Sequence, residues 1–371
     1  MRKTLIAFLV ACLCAADLSA QTLTKEAMNN FARFTQKPEL SSLEKARKNI
    51  DDAYKTKKDS LSYKVNLIRG LVYSALAVAD STRKLSYVKD PIDEALYSMN
   101  RLKSPKDNYQ HESEMKFIRK QLTRAWFIKA RRAADQYNYQ EAFKSYEWMD
   151  SLGTDKFAAK HNLAVLSERL GYSEKAIHYY SVLISDKKRA LPEYYLALSN
   201  LYEQSRNSLK ALSVIEEGRR EFPGNRELLF KQLNTYADNG VYDMVSKHAD
   251  EALEYMPTNV NLLYLAGFSS EMIGNREKAE GYYKQILSME QNNYEGNYAL
   301  GLLYLNTYLK DGRKNKEEKL LLNSKNYFLH AAEINPNAVN VLKSLEIIYT
   351  LTGNTNELSR VKNKLNQVIL N

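Results

Sequence analysis

The chain has 371 residues, 44% of them hydrophobic and 26% charged, and its 54 basic and 44 acidic side chains give a formal net charge of +10. This is an ordinary globular composition with ample apolar mass for a core, although a single compact domain of this length would be large. Both cysteines, Cys12 and Cys14, fall within the first 20 residues, which excludes disulfides and thiol chemistry from residues 21–371.

Arg2 and Lys3 form a short positive region, Thr4 to Cys14 an apolar stretch, and Ala15, Ala16, Ser19 and Ala20 supply small residues before the polar run from Gln21. That order predicts a signal peptide over 1–20 and an exported, periplasmic mature protein. The run Leu9-Val10-Ala11-Cys12 is similar to a bacterial lipoprotein box, so an outer-membrane anchor through Cys12 is the alternative. Removing Arg2, Lys3 and Asp17 takes the charge from +10 to +9. No later segment approaches the roughly 18 uninterrupted apolar residues of a membrane span. No Asn-x-Ser/Thr sequon occurs, which favours a bacterial envelope over a eukaryotic secretory route.

Residues 21–121 carry a weak helical pattern. Ala46, Ile50 and Ala53 predict a degenerate first unit. Leu67, Gly70, Tyr73, Ala95, Met99 and Leu102 predict another, with an expanded bend near Asp80–Pro91. A long helix is expected from about Glu112 to Ala134, marking the joint with the more regular C-terminal two-thirds of the chain.

From 122 to 371 a 34-residue period takes over. Ala142, Ala176, Ala211, Val245 and Ala279 are separated by 34, 35, 34 and 34 positions, and Pro223 and Pro257 close helical stretches one period apart. Within each period, apolar residues recur at helical spacing, as in Tyr195, Leu198, Ser199 and Tyr202 followed by Ala211, Ile215 and Gly218. Gly171, Gly240, Gly274 and Gly353 fall where the two helices of a pair must bend, a place for positive φ. A fixed period of this length with helical patterning inside it predicts stacked helix hairpins, each burying its apolar face on its neighbours. From Ala279 to the equivalent Ser324 is 45 residues, and the eleven extra fall at the charged stretch from Lys310 to Lys319, expected as a surface insertion that lengthens the bend or the second helix. Leu358, Val361, Leu365, Val368 and Ile369 form an apolar stripe that predicts a C-terminal capping helix.

The pattern resembles the tetratricopeptide repeat (TPR) family. It is carried by Trp126, Ala130, Ala142, Tyr146 and Met149, then Leu163, Ala164, Gly171, Ala176, Tyr180 and Leu183, and again by Leu300, Gly301, Tyr304, Phe328, Ala331 and Pro336. The resemblance covers about residues 123–370. It implies an all-α, right-handed superhelical solenoid of antiparallel helix hairpins, whose first helices line a concave groove that holds a peptide or partner protein.

The resemblance further implies which side chains face that groove. They are Phe127 and Arg131, with Arg124 beside them; then His161 and Glu168; then Glu193, Asn200 and Glu203. Glu227, Phe230 and Asn234 come next, then Asn261, Tyr264, Phe268 and Glu271, then Glu295, Tyr298 and Leu302. The expected partner-binding set is Phe127, Arg131, Asn200, Phe230, Asn234, Tyr264, Phe268 and Tyr298. Some family members hold a partner's C-terminal carboxylate on a groove lysine; Phe127, His161, Leu196, Phe230, Tyr264 and Tyr298 stand there instead, so that mode is not carried over.

Catalytic patterns are scarce. His111-Glu112 starts like a zinc-protease sequence, but Met115 occupies the second histidine position. No phosphate loop, nucleophile elbow or Cys/His metal spacing occurs. Basic clusters such as Lys187-Lys188-Arg189 are scattered and mixed with acids, as on a solvated helical surface and unlike a nucleic-acid stripe. The expectation is a non-catalytic scaffold of the bacterial envelope without cofactor or metal, binding protein and no nucleic acid. A glycan- or polymer-binding repeat protein is the alternative.

Overall fold

The computed structural model describes residues 20–154, 156–312 and 318–370, and every regular element among them is a helix. The expected signal peptide and Cys12 therefore lie outside the described residues, apart from residue 20 itself, which begins a helix. The chain divides into two compact units, Met1–Ala190 and Leu191–Asn371.

The N-terminal unit contains α1 (20–36), α2 (Leu40–Asp52), α3 (Lys57–Leu61), α4 (Tyr63–Ala79), α5 (Pro91–Arg101) and α6 (Pro105–Gln110). It continues with α7 (Glu112–Asp135), α8 (Tyr139–Leu152), α9 (Lys156–Arg169) and α10 (Ser173–Ser185). Helix α4 is the axis of its first core: Leu67, Ile68, Leu71, Val72, Tyr73 and Leu76 are all buried. Ala46 and Ile50 of α2 and Ala95 of α5 pack into the same cluster. The expanded bend is present as an 80–90 connection. Asp80 fastens its start, accepting the Lys84 and Leu85 amides at 2.7 and 3.0 Å, and Asp90 caps α5 ahead of Pro91.

Helix α7 explains how a degenerate region joins a regular array. Its first half puts Met115, Ile118 and Leu122 into the α4 core, while its second half puts Trp126, Ala130 and Ala133 against α8 and α9. One continuous helix belongs to both clusters, so no linker separates them.

An ion cluster stands inside the first core. Arg69 is buried, its side chain only 1% exposed, and it pairs with Asp51 (Nη1 to Oδ1, 2.5 Å) and with Glu94. The Tyr54 and Tyr73 rings each lie 4.6 Å from the guanidinium carbon, and the Tyr73 hydroxyl donates to Asp51. Three helices are thereby joined through one cation, which is what allows it to be buried at all.

The C-terminal unit is five hairpins: α11 (Pro192–Gln204) with α12 (Ser208–Glu221), α13 (Arg226–Asp238) with α14 (Tyr242–Tyr255), and α15 (Val260–Met272) with α16 (Arg276–Met289). Then come α17 (Tyr294–Thr307), a π-helical turn at Tyr308–Gly312, α18 (Glu318–Ile334), α19 (Val339–Leu351) and α20 (Thr355–Leu370). Local chemistry sets these boundaries. Asn225, Asn259 and Asn293, one period apart, each accept an amide of the first turn at 2.9 Å. Gly240, Gly274 and Gly353 take positive φ in the bends, as expected. Tyr137 and Arg206 do the same in bends that lack glycine.

The residues assigned to packing are buried: Tyr195, Leu198, Ala211, Ile215, Leu229, Tyr236, Leu263, Ala266, Ala279 and Ile286 form the interior of the stack. Two ring-on-glycine contacts hold its later hairpins. A Cβ on Gly301 would sit 2.8 Å from Phe328, and one on Gly267 would collide with Tyr283. The inserted residues lengthen both helices of their hairpin, through the π turn after α17 and through the 17-residue α18; residues 313–317 lie outside the described set. Helix α20 packs on α19 and buries Val361 and Leu365, as a cap should, while Ile369 at its end is left exposed.

Candidate functional site

The first helix of each hairpin has one face turned away from its partner, and its side chains are of two kinds. Asn200, Asn234, Asn261, Glu193, Glu227 and Glu295 are exposed. The aromatic members are not free-standing. Phe230 is half-buried against the core formed by Leu229, Leu233 and Tyr236. Tyr264 leans on Tyr283 of the paired helix at 5.9 Å, Phe268 meets Tyr242 edge-on at 5.3 Å, and Tyr298 lies between Tyr294 (6.0 Å, parallel) and Phe328 (5.8 Å).

In the N-terminal unit Phe127 is 38% exposed and meets Tyr146 edge-on at 6.3 Å, and Arg131 is exposed. Of the eight expected site residues, these two belong to that unit and the other six to the C-terminal one. The common geometry is a first-helix ring resting on a second-helix ring 19 positions later, as in Phe127 on Tyr146 and Tyr264 on Tyr283. The eleven-residue insertion stretches the same pairing to Tyr298 on Phe328.

Of the acids expected on the groove face, Glu203 and Glu271 tie successive first helices together. Glu203 of α11 accepts from Lys231 (2.5 Å) and Thr235 (3.2 Å) of α13. Glu271 of α15 accepts from Asn306 of α17 (3.3 Å) and from Tyr283 (3.4 Å). Both acids thus act as struts between successive first helices. On the other side of the stack, second helices are joined in the same manner, by Lys278 with Asp250 (2.9 Å) and Arg219 with Glu251 (2.7 Å). The signal was present as opposite charges about one period apart.

Tyr264 is where neighbouring repeats converge. Burial raises its pKa first, and the charges of Glu271, Tyr298 and Glu295 push it the same way. Glu295 is exposed and has no ion-pair partner among the described residues, whereas Glu271 is held in place by its two donors.

Charge separates the first helices of the two units. Those of the C-terminal unit (α11, α13, α15, α17 and α19) carry seven acidic and three basic residues, net −4. Helices α7 and α9 carry four acidic and ten basic residues, net +6. Among the described residues no group of three or more histidine, cysteine or carboxylate side chains is placed to hold a metal ion, and no helix is long and apolar enough to cross a membrane.

No family model matches this chain, and no curated protein matches it. Solved structures do. The crystal structure of MamA is 16% identical over 48% of this chain and 91% of its own, with a TM-score of 0.41. A MamA fragment from Desulfovibrio magneticus RS-1 is 17% identical over 50% and 94%, at 0.39. YrrB, described as a TPR protein with an unusual peptide-binding site, is 14% identical over 55% and 100%, at 0.43. The fold class rests on the hairpins themselves: repeated helix pairs of about 34 residues, small residues and glycines under tyrosine and phenylalanine rings, and left-handed bends. The chain is all-α and TPR-like.

Proposed function

We propose that the chain is a non-catalytic interaction scaffold of the bacterial cell envelope, holding a peptide segment or partner protein on the first-helix face of its C-terminal unit. The observation that carries this is the make-up of that face. Rings anchored from behind by Tyr283 and Phe328 alternate along it with exposed asparagines and glutamates that have no packing duty. Rigid aromatic edges give contact area at little entropic cost, and Asn and Glu side chains can bond an extended backbone. Glycan capture asks for exposed coplanar rings; Tyr264 and Phe268 are half-buried and tilted or edge-on to their neighbours, which favours a peptide. The envelope setting is supported by Arg2-Lys3, the apolar stretch after it and the small residues up to Ala20.

Because the rings are also packing elements, the clean test uses the exposed positions. The protein is affinity-purified from its native envelope and its partners are identified by mass spectrometry. Asn200→Arg with Asn234→Arg should remove the main partner, while Glu254→Arg, on the second helix α14, should keep it. A partner recovered equally with both variants would place binding elsewhere.

A further inference from the structure

We propose that the outward face of helix α7, in the N-terminal unit, is a second docking site and takes an extended partner segment rich in Asp and Glu. The site is independent of the C-terminal face described above. Lys116, Lys120, Arg124, Phe127 and Arg131 are all exposed, and they follow one another at steps of four, four, three and four residues. At 3.6 residues per turn that order confines them to an arc of about 80° and spreads them over about 22 Å of helix. The opposite side of the same helix carries Met115, Ile118, Leu122 and Trp126 into the two cores. None of the four cations has a side-chain partner among the described residues. The acids of α7, Glu112, Glu114 and Asp135, stand at its two ends, and Glu114 is taken by His111 and Ser113.

A solvated helix surface is ordinarily laced with opposite charges four residues apart. Helix α2 is, through Arg47–Asp51 and Lys48–Glu44, and so is α16, through Lys284–Glu280. Along α7 the same spacing sets Lys116 against Lys120 and Lys120 against Arg124, like charges that weaken the helix they sit on. A local penalty with no structural return marks a surface kept for a partner. The charge also forms a line. One period on, α9 has Ala158, His161 and Val165 where α7 has Arg124, Phe127 and Arg131, so the cations are one helix wide. A membrane surface calls for a broader patch with a strongly apolar side, whereas a line suits a single extended chain. The spacings agree: residues four apart on a helix advance about 6 Å, and alternate residues of an extended chain about 6.6 Å. Carboxylates at every second position would therefore meet Lys116, Lys120 and Arg124 in turn. Arg124 and Arg131 can each grip a carboxylate through two parallel N–H donors. Phe127, steadied edge-on by Tyr146 at 6.3 Å, offers apolar contact between them.

Fluorescence anisotropy of labelled peptides, roughly ten residues long, with the purified full chain tests this. One peptide carries Asp or Glu at alternate positions, a second gathers the same acids at one end, and a third replaces them by Asn and Gln. The alternating peptide should bind best and the amide peptide not at all. Lys120→Gln with Arg124→Gln should weaken the alternating peptide about tenfold. Lys247→Gln with Lys343→Gln, which removes the same charge from exposed positions of the C-terminal unit, should leave it unchanged. Lys120→Glu with Arg124→Glu should turn the preference toward peptides with alternating Lys or Arg. Every substituted position is exposed, so helicity by circular dichroism should be the same in all variants. The proposal is overturned if the amide peptide binds as well as the acidic one, or if both Gln pairs weaken binding equally, which would mark net charge alone. It is also overturned if phosphatidylglycerol vesicles bind the chain through Lys120 and Arg124 while the acidic peptides do not.

Discussion

The first helices of the two units are built alike and dressed in opposite charge. In both, a small residue or leucine packs inward, a ring rests on the paired helix, and a left-handed bend turns the chain back. Yet α7 and α9 present a net +6 and the five first helices of the C-terminal unit a net −4. The difference teaches that the same hairpin frame accepts either sign of charge on its outward positions. The interiors differ as well. The N-terminal unit buries an ion cluster around Arg69, whereas the C-terminal unit relies on rings packed over glycine.

Stability measurements would break or sharpen that contrast. If the N-terminal core depends on its buried cation, Arg69→Leu should cost about 3 kcal/mol in urea denaturation, because two partly buried carboxylates lose their counter-charge. A cost below about 1 kcal/mol would mean that the cluster is a passenger. If the C-terminal unit depends on ring-over-glycine contact, Gly301→Val should cost about 2 kcal/mol by overpacking against Phe328. The equivalent position of the N-terminal unit holds Ala130, and there Ala130→Gly should cost only about 1 kcal/mol.

Tyrosine ionisation should act on both units at once. Burial, reinforced by Glu216, raises the Tyr236 pKa to about 12, and burial with Asp80 raises Tyr87 to about 12. A pKa raised by folding means that the folded state holds the neutral phenol while the unfolded chain ionises near 10. This contribution is complete below about pH 10 and is lost as pH rises toward 12. Thermal unfolding followed across pH 9–12 should show a falling Tm, with Tyr236→Phe flattening part of the slope; a Tm independent of pH over that range would contradict the assignment. The smallest effect is expected at the bends. Tyr137 and Arg206 hold positive φ where other bends have glycine, so Tyr137→Gly and Arg206→Gly should each be neutral or stabilising by up to about 1 kcal/mol. A clear loss at either would mean that the side chain does something beyond filling the bend.

Periodicity made the frame legible, and its absence hid the rest. Ala142 to Ala279 mark the pitch because close helix approach tolerates only small side chains there, and Gly240 and Gly274 mark the bends because positive φ excludes most others. Asn225, Asn259 and Asn293 were equally readable as caps at one-period spacing, yet they are easily passed over as loop residues. The Asp51–Arg69–Glu94 cluster had no such signal, since its members lie 18 and 25 positions apart in a region without phase. At the candidate site the row Phe230, Tyr264, Phe268 and Tyr298 comes from repeat position alone. What position does not show is that the rings are braced from behind, or that Glu203 and Glu271 span neighbouring repeats, because surface charges look alike until their partners are placed.

The central claim is that partners lie on the first helices of the C-terminal unit and not on the second. A photo-crosslinking amino acid placed at Asn234 of α13 and, separately, at Glu254 of α14 tests it directly, since both positions are exposed. With the partner recovered from the native envelope, position 234 should yield the covalent adduct and position 254 none. An adduct at 254 with none at 234 would contradict the account.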